Sequence, residues 1–163
     1  RPLWTYFDLA RAHQWLMLGE PGKTWDDLRW FWANPAAPGL YTWWESNGEE
    51  NTFGRWETVR GWVQPPHVTP HYWTAAEMIL LQLDMLVCLD ESEPQPALIV
   101  GAGVPSEWLD RSLSVEGVST RLGRVDWTWN KKRLTVRLHG PKVKIDVKTG
   151  PAFPAGTEVR VKN

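Results

Sequence analysis

The hydrophobic period of this chain changes once, near residue 91, and that change limits the fold more than any other feature. Before it, apolar residues recur at helical spacing; after it, they alternate with polar ones. Helices followed by sheet make an α+β fold. The stretch "ESEPQPA" supplies the boundary, so the chain divides into residues 1–92 and 93–163.

Three helices are expected in the first part. "PLWTYFDLARAHQWLMLGEPG" offers Pro2 as a start, an apolar face of Leu3, Phe7, Ala10, Trp15 and Leu18, and Gly19 with Pro21 as stops. A second helix should open at Thr24, whose hydroxyl suits a cap, run through Trp25, Leu28 and Trp32, and end at Asn34 and Pro35. The third, "TPHYWTAAEMILLQLDMLVCLD", has Thr69 as cap and Pro70 at its first position, and is apolar nearly all round from Met78 to Leu89. Residues 69–90 should therefore be one helix buried on most sides. Three helices cannot enclose it, which makes the helical part the end of something larger.

In the second part "RVDWTWN", "RLTVRLH" and "KVKIDVK" alternate, separated by turns at Asn130 to Lys132 and at Gly140-Pro141. Antiparallel sheet with one face inward is the expectation for residues 97–163. "LIVGAGVPSEW" imitates a dinucleotide fingerprint, but Ser106 holds the third small position and Pro105 interrupts the place where a helix would open. A strand-to-turn connection is the better reading.

Thirteen of the 163 residues are Trp, against three Tyr and four Phe, more indole than a core of this size absorbs. The stretch "GLYTWWESNGEENTFGRW", residues 39–56, places Trp43, Trp44 and Trp56 beside Glu45, Glu49 and Glu50, with Arg55 among them. A core refuses the acids and a solvated loop seldom holds the rings. A sugar site uses both, since ring faces stack on the C–H faces of a pyranose while carboxylates and guanidinium groups bind its hydroxyls. Paired carboxyls also cleave glycosidic bonds, one protonating the leaving oxygen and the other activating water. Trp62 and Trp73 extend the set of rings expected to share a concavity.

Other chemistries find less support. His67 and His71 are four apart, but Pro65, Pro66 and Pro70 keep them off one helix, so no metal site is expected. His71, beside Tyr72 and Trp73, is placed to donate a hydrogen bond into a cleft. Cys88 lies in an apolar run as an inert thiol, without a partner for a disulfide. Seven basic and sixteen acidic residues in 1–120 face eleven and three in 121–163. The later bases fall on alternate strand positions, the mark of a solvated sheet face rather than of nucleic-acid binding. No apolar run reaches the length of a membrane span.

The order "YTWWES", "PHYWTAAEMILLQLDML", "ALIVGAGVPSEWL" and "GVSTRLGRVDWTWNKKRLTVRL", from about residue 24 onward, resembles the C-terminal end of six-hairpin (α/α)6-barrel glycosidases of the α-L-rhamnosidase-like kind. The resemblance implies terminal barrel helices followed by an antiparallel β-sandwich, inverting hydrolysis with Glu45 as general base, and His71 in the sugar pocket, with no cofactor. Trp43, Trp44, Glu50, Arg55, Trp56 and Trp73 would complete the carbohydrate site. Pro70 and Ala75 depart from the family pattern, so sugar specificity does not carry over. The family's general acid lies in an earlier hairpin, which implies an upstream barrel segment or partner chain and an inactive chain in isolation. The rival expectation is a tryptophan-rich carbohydrate-binding or interaction module without chemistry.

Overall fold

A computed structural model describes residues 3–36, 41–47, 70–140 and 145–162, with Leu3, Ser46 and Asn47 described in their backbone alone. The fold is α+β. Two compact units form, one of Arg1–Leu18 with Lys23–Leu81 and one of Gly19–Gly22 with Gln82–Asn163; they are called here the helical unit and the β unit.

In the helical unit β1 (Leu3–Trp4) leads into α1 (Thr5–Met17), α2 (Pro21–Ala33), β2 (Ser46–Asn47) and the start of α3 (Tyr72–Leu86). β1 and β2 pair antiparallel, Leu3 opposite Asn47 and Trp4 opposite Ser46. The buried stripe of α1 is Thr5, Asp8, Leu9, Ala12 and Leu16. This corrects the expected face, because Phe7 and Leu18 point to solvent. A stripe set by hydrophobicity alone missed the small and polar side chains, Thr5, Asp8 and Ala12, that let neighbouring segments approach.

α2 begins at Pro21, three residues before the expected cap. Proline suits a first helical turn, where its missing N–H costs nothing. Thr24 then lies inside the helix and its buried hydroxyl donates to the Ala12 carbonyl at 3.0 Å, joining α1 to α2. Arg11 adds ion pairs to Asp8 at 3.1 Å and to Asp27 at 2.9 Å. His13 Nδ1 lies 2.7 Å from Glu77 on α3.

The third helix stops at Leu86, and Val87–Asp90 becomes strand β3. The continuous apolar run hid this switch, since neither period is visible where every residue is apolar; pairing with β4 (Ala97–Val100) decides it. Nor is the helix buried on most sides. Met78, Leu81 and Met85 are inside, whereas Tyr72, Trp73, Ile79, Leu80 and Leu83 are exposed.

The β unit contains two sheets, β3-β4-β8 and β5-β6-β7-β9, where β5 is Leu113–Thr120, β6 Gly123–Trp129, β7 Arg133–His139, β8 Asp146–Thr149 and β9 Glu158–Lys162. Both feed one hydrophobic cluster, with Leu98 and Val100 from the first and Val125, Trp127, Leu134 and Val136 from the second. The alternation read from β6 and β7 is realised: Val125, Trp127 and Trp129 face inward, as do Leu134, Val136 and Leu138. The expectation of an antiparallel sheet is corrected, because β4 pairs β8 in parallel and β7 pairs β9 in parallel. Alternation fixes which face is inside and carries no information about strand direction. Among the described residues no α-helix lies in either crossover: a short 3-10 turn at Ser106–Trp108 and then β5, β6 and β7 intervene in one, and β8 in the other.

Local chemistry explains the joints. Lys131 takes a left-handed φ of 71° in the β6–β7 turn, where Asn130 Oδ1 accepts from the N–H groups of Lys132 and Arg133. The glycine-rich stretch is the strand-to-turn connection expected. Gly101, with φ of 69°, donates to the Leu86 carbonyl at 2.8 Å, and Gly103 donates to that of Met85 at 2.9 Å. A Cβ at Gly103 would lie 2.4 Å from Met85, so close packing requires glycine there. Cys88 is buried, and burial pushes its thiol up to about 12, so it is unreactive near neutral pH.

Candidate functional site

The short segment 42–47 is pinned at nearly every residue. Ala36 N–H donates to the Thr42 carbonyl at 2.8 Å, and His71 N–H to that of Trp43 at 3.2 Å. The Thr5 hydroxyl donates to the Trp44 carbonyl at 2.6 Å, and Thr5 N–H to the Glu45 carbonyl at 3.1 Å. Ser46 and Asn47 then pair with β1. The Glu45 backbone is thereby fixed at the N-terminal end of α1.

Behind it runs a buried polar chain. Thr5 Oγ1 lies 2.7 Å from Thr74 Oγ1, which lies 2.7 Å from His71 Nδ1. A hydroxyl has one proton, and Thr5 directs its own at the Trp44 carbonyl. Thr74 must therefore donate to Thr5, and His71 must donate from Nδ1 to Thr74. The chain of donors fixes the tautomer: in the neutral ring Nε2 is the acceptor. His71 was expected to donate into a cleft; its Nδ1–H goes to Thr74 in the first turn of α3, and Thr74 in turn joins α3 to α1 through Thr5.

Aromatic rings gather at the same helix ends. Tyr6 and Trp73 meet near edge-on with centroids 6.1 Å apart, Tyr6 and Phe7 at 5.4 Å, Trp4 and Phe7 at 6.3 Å, and His71 and Trp73 at 5.9 Å. Such tilted pairs are the favoured arrangement of rings with negative faces and positive edges. Trp73 remains 70% exposed and Trp44 36%.

Trp43 is placed differently from expectation. It is only 5% exposed, its ring meets Phe31 edge to face at 5.7 Å, and its indole N–H donates to the Phe31 carbonyl at 2.7 Å. A ring so enclosed has no face for a ligand, so Trp43 is a core residue that sets the position of Trp44 and Glu45. The structure thus brings Trp44, Glu45, His71 and Trp73 to one end of the helical unit. Glu50, Arg55, Trp56 and Trp62 lie outside the described residues. Sequence reading missed Thr5, Thr74, Trp4, Tyr6 and Phe7. The signal was present for Thr74, since a threonine on a helix expected to be buried on most sides needs a polar partner.

Among the described residues, no group of His, Cys, Asp and Glu could hold a metal ion, and no helix is long and apolar enough to cross a membrane. Comparison with protein families, curated proteins and solved structures gave no match to this chain.

Proposed function

We propose that this chain is part of an inverting glycoside hydrolase, with its helices the last hairpins of an (α/α)6 barrel and its two sheets the appended β-sandwich. One observation carries the reading: the backbone of Glu45 is held rigidly beside Trp44, at the helix ends where Trp73 keeps its ring in solvent. Glu45 is the general base. It activates a water that attacks the anomeric carbon, while a carboxylic acid about 6.5–9.5 Å away protonates the leaving oxygen. Trp44 and Trp73 stack on the sugar, and Glu50, Arg55 and Trp56 join from the adjoining segment. The acid comes from an upstream barrel segment or partner chain, whose helices also cover Tyr72, Ile79 and Leu80. Carbohydrate is the substrate, and neither nucleic acid nor membrane is a partner.

A non-catalytic carbohydrate-binding or interaction module is the second reading. The exposure of Trp73 and Phe7 favours it, since stacking alone gives binding without a carboxylate.

The test is hydrolysis of a glycan panel by the chain assembled with the hairpins that complete the barrel, followed by NMR of the anomeric proton in the first product. The expected product is inverted, and Glu45→Gln removes turnover while leaving sugar affinity nearly unchanged. Wild-type turnover in E45Q, or a retained anomer, overturns the assignment. Affinity without turnover in the wild-type assembly establishes the second reading.

A further inference from the structure

The aromatic residues of α2 divide between two faces. Leu28 and Phe31 are buried, while Trp25 is half-buried and Trp32 is 46% exposed. Trp25 and Trp32 are seven residues apart, two turns along one side, and Arg29 stands between them. Their indoles meet edge to face, with centroids 5.8 Å apart and planes at 71°. The Arg29 guanidinium carbon lies 5.8 Å from the centre of the Trp25 ring, and its Nη1 donates to Asp26 Oδ1 at 3.1 Å. Cation–π attraction and the ion pair restrain the guanidinium over the Trp25 ring.

A further helix is a poor occupant of this face. Packing an apolar helix here would bury the Arg29–Asp26 pair, whose two side chains are 62% and 79% exposed, and removing both charges from water costs several kcal/mol per ion. A sugar makes no such demand. Each hydroxyl both donates and accepts, so it satisfies the fork of Arg29 and the carboxylate of Asp26 together. The pair is neutral overall and therefore does not select a charged ligand. The exposed Trp32 offers ring surface for a pyranose to stack on, with the Arg29 fork and the Asp26 carboxylate within two turns along the same helix.

We propose that Trp25, Asp26, Arg29 and Trp32 form a surface platform for a neutral pyranose unit of a glycan, separate from the residues around Glu45. The platform binds without chemistry and does not depend on Glu45 being catalytic.

The test is isothermal titration calorimetry of a Trp44→Ala/Trp73→Ala chain with four neutral hexasaccharides: β-1,4-glucan, β-1,3-glucan, β-1,4-mannan and β-1,4-xylan. This background removes the rings of the first site. At least one hexasaccharide should bind, and adding W32A should weaken it about tenfold, the scale of one lost stacking contact. Trp32→Phe keeps a ring and should keep most of the affinity, which separates loss of stacking from loss of fold. No binding of any hexasaccharide by the W44A/W73A chain overturns the proposal. So does an unchanged affinity in W32A, or, in a parallel titration with hexagalacturonate, a clear preference for that charged glycan over every neutral one.

Discussion

The helical unit and the β unit bury their aromatic residues by different rules. In the β unit, Trp127 and Trp129 sit inside a cluster fed by both sheets, against Phe153 at 6.4 and 5.4 Å. In the helical unit, rings line the outside of α1, α2 and α3 as well as the inside. Of fourteen exposed large hydrophobic side chains among the described residues, eleven belong to the helical unit and three, Leu83, Trp108 and Val161, to the β unit. Among the described residues the β unit turns most of its large rings inward, while the helical unit leaves many of its own in solvent, the surface that the proposed ligand would use.

The sharpest way to break that contrast is in the β core. Trp127→Ala should cost about 3–5 kcal/mol, read from the urea midpoint, because it removes the largest fully buried side chain and leaves a cavity. A loss below about 1 kcal/mol would mean the sheets do not share a packed core. Next in size is the polar chain behind Glu45. Thr74→Val leaves the Thr5 oxygen and His71 Nδ1 buried without their partner and should cost about 1–3 kcal/mol. Thr5→Val combined with it should cost clearly less than the sum of the two, as expected of residues in one network.

Acid sensitivity sharpens the β side. The Gly117 N–H, donating at 2.8 Å, and then His139, at 2.6 Å, hold the Asp126 carboxyl below its usual value of 3.8. A carboxylate whose folded pKa is lowered adds stability above the unfolded value, and that stability is lost as pH falls through the folded value. Asp90 behaves alike through the Ser92 hydroxyl, the Ser92 N–H and Lys148. Asp126→Asn keeps an acceptor for Gly117 and should flatten the fall in urea midpoint below pH 4. An unchanged profile in D126N would show that its charge is not coupled to folding. The smallest effect belongs to the outer face of α3: Leu80→Ser should shift stability by no more than about 0.5 kcal/mol and reduce dye binding to exposed apolar surface. A large loss would show that the face is covered in the free chain.

The same contrast separates what was legible in the sequence from what was not. Alternation in "RVDWTWN" named the inward side chains one by one, because a strand with one wet face writes its burial into its pattern. It could not tell parallel from antiparallel neighbours, as β8 and β9 show. In α1 the pattern named the wrong face: Phe7 and Leu18 read as core because they are apolar, while Thr5 and Asp8 are buried because they have partners. The neighbourhood of Glu45 was visible as a composition, rings beside acids. Which ring would be inside was not, since nothing local shows that Trp43 packs on Phe31 and donates to its carbonyl. That distinction is made by residues twelve positions away.

The proposal that a ligand binds at the helix ends around Glu45 is set most directly against Trp108, an exposed ring of the β unit. The most direct measurement is the ¹⁹F spectrum of the 5-fluorotryptophan-labelled chain, with signals assigned by single Trp→Phe variants, during titration with a broad oligosaccharide panel. At least one oligosaccharide should move the Trp44 and Trp73 signals together, with a single saturating affinity, and leave Trp108 still. Movement of Trp108 with Trp44 and Trp73 unchanged, or no movement of any signal across the panel, would contradict the account.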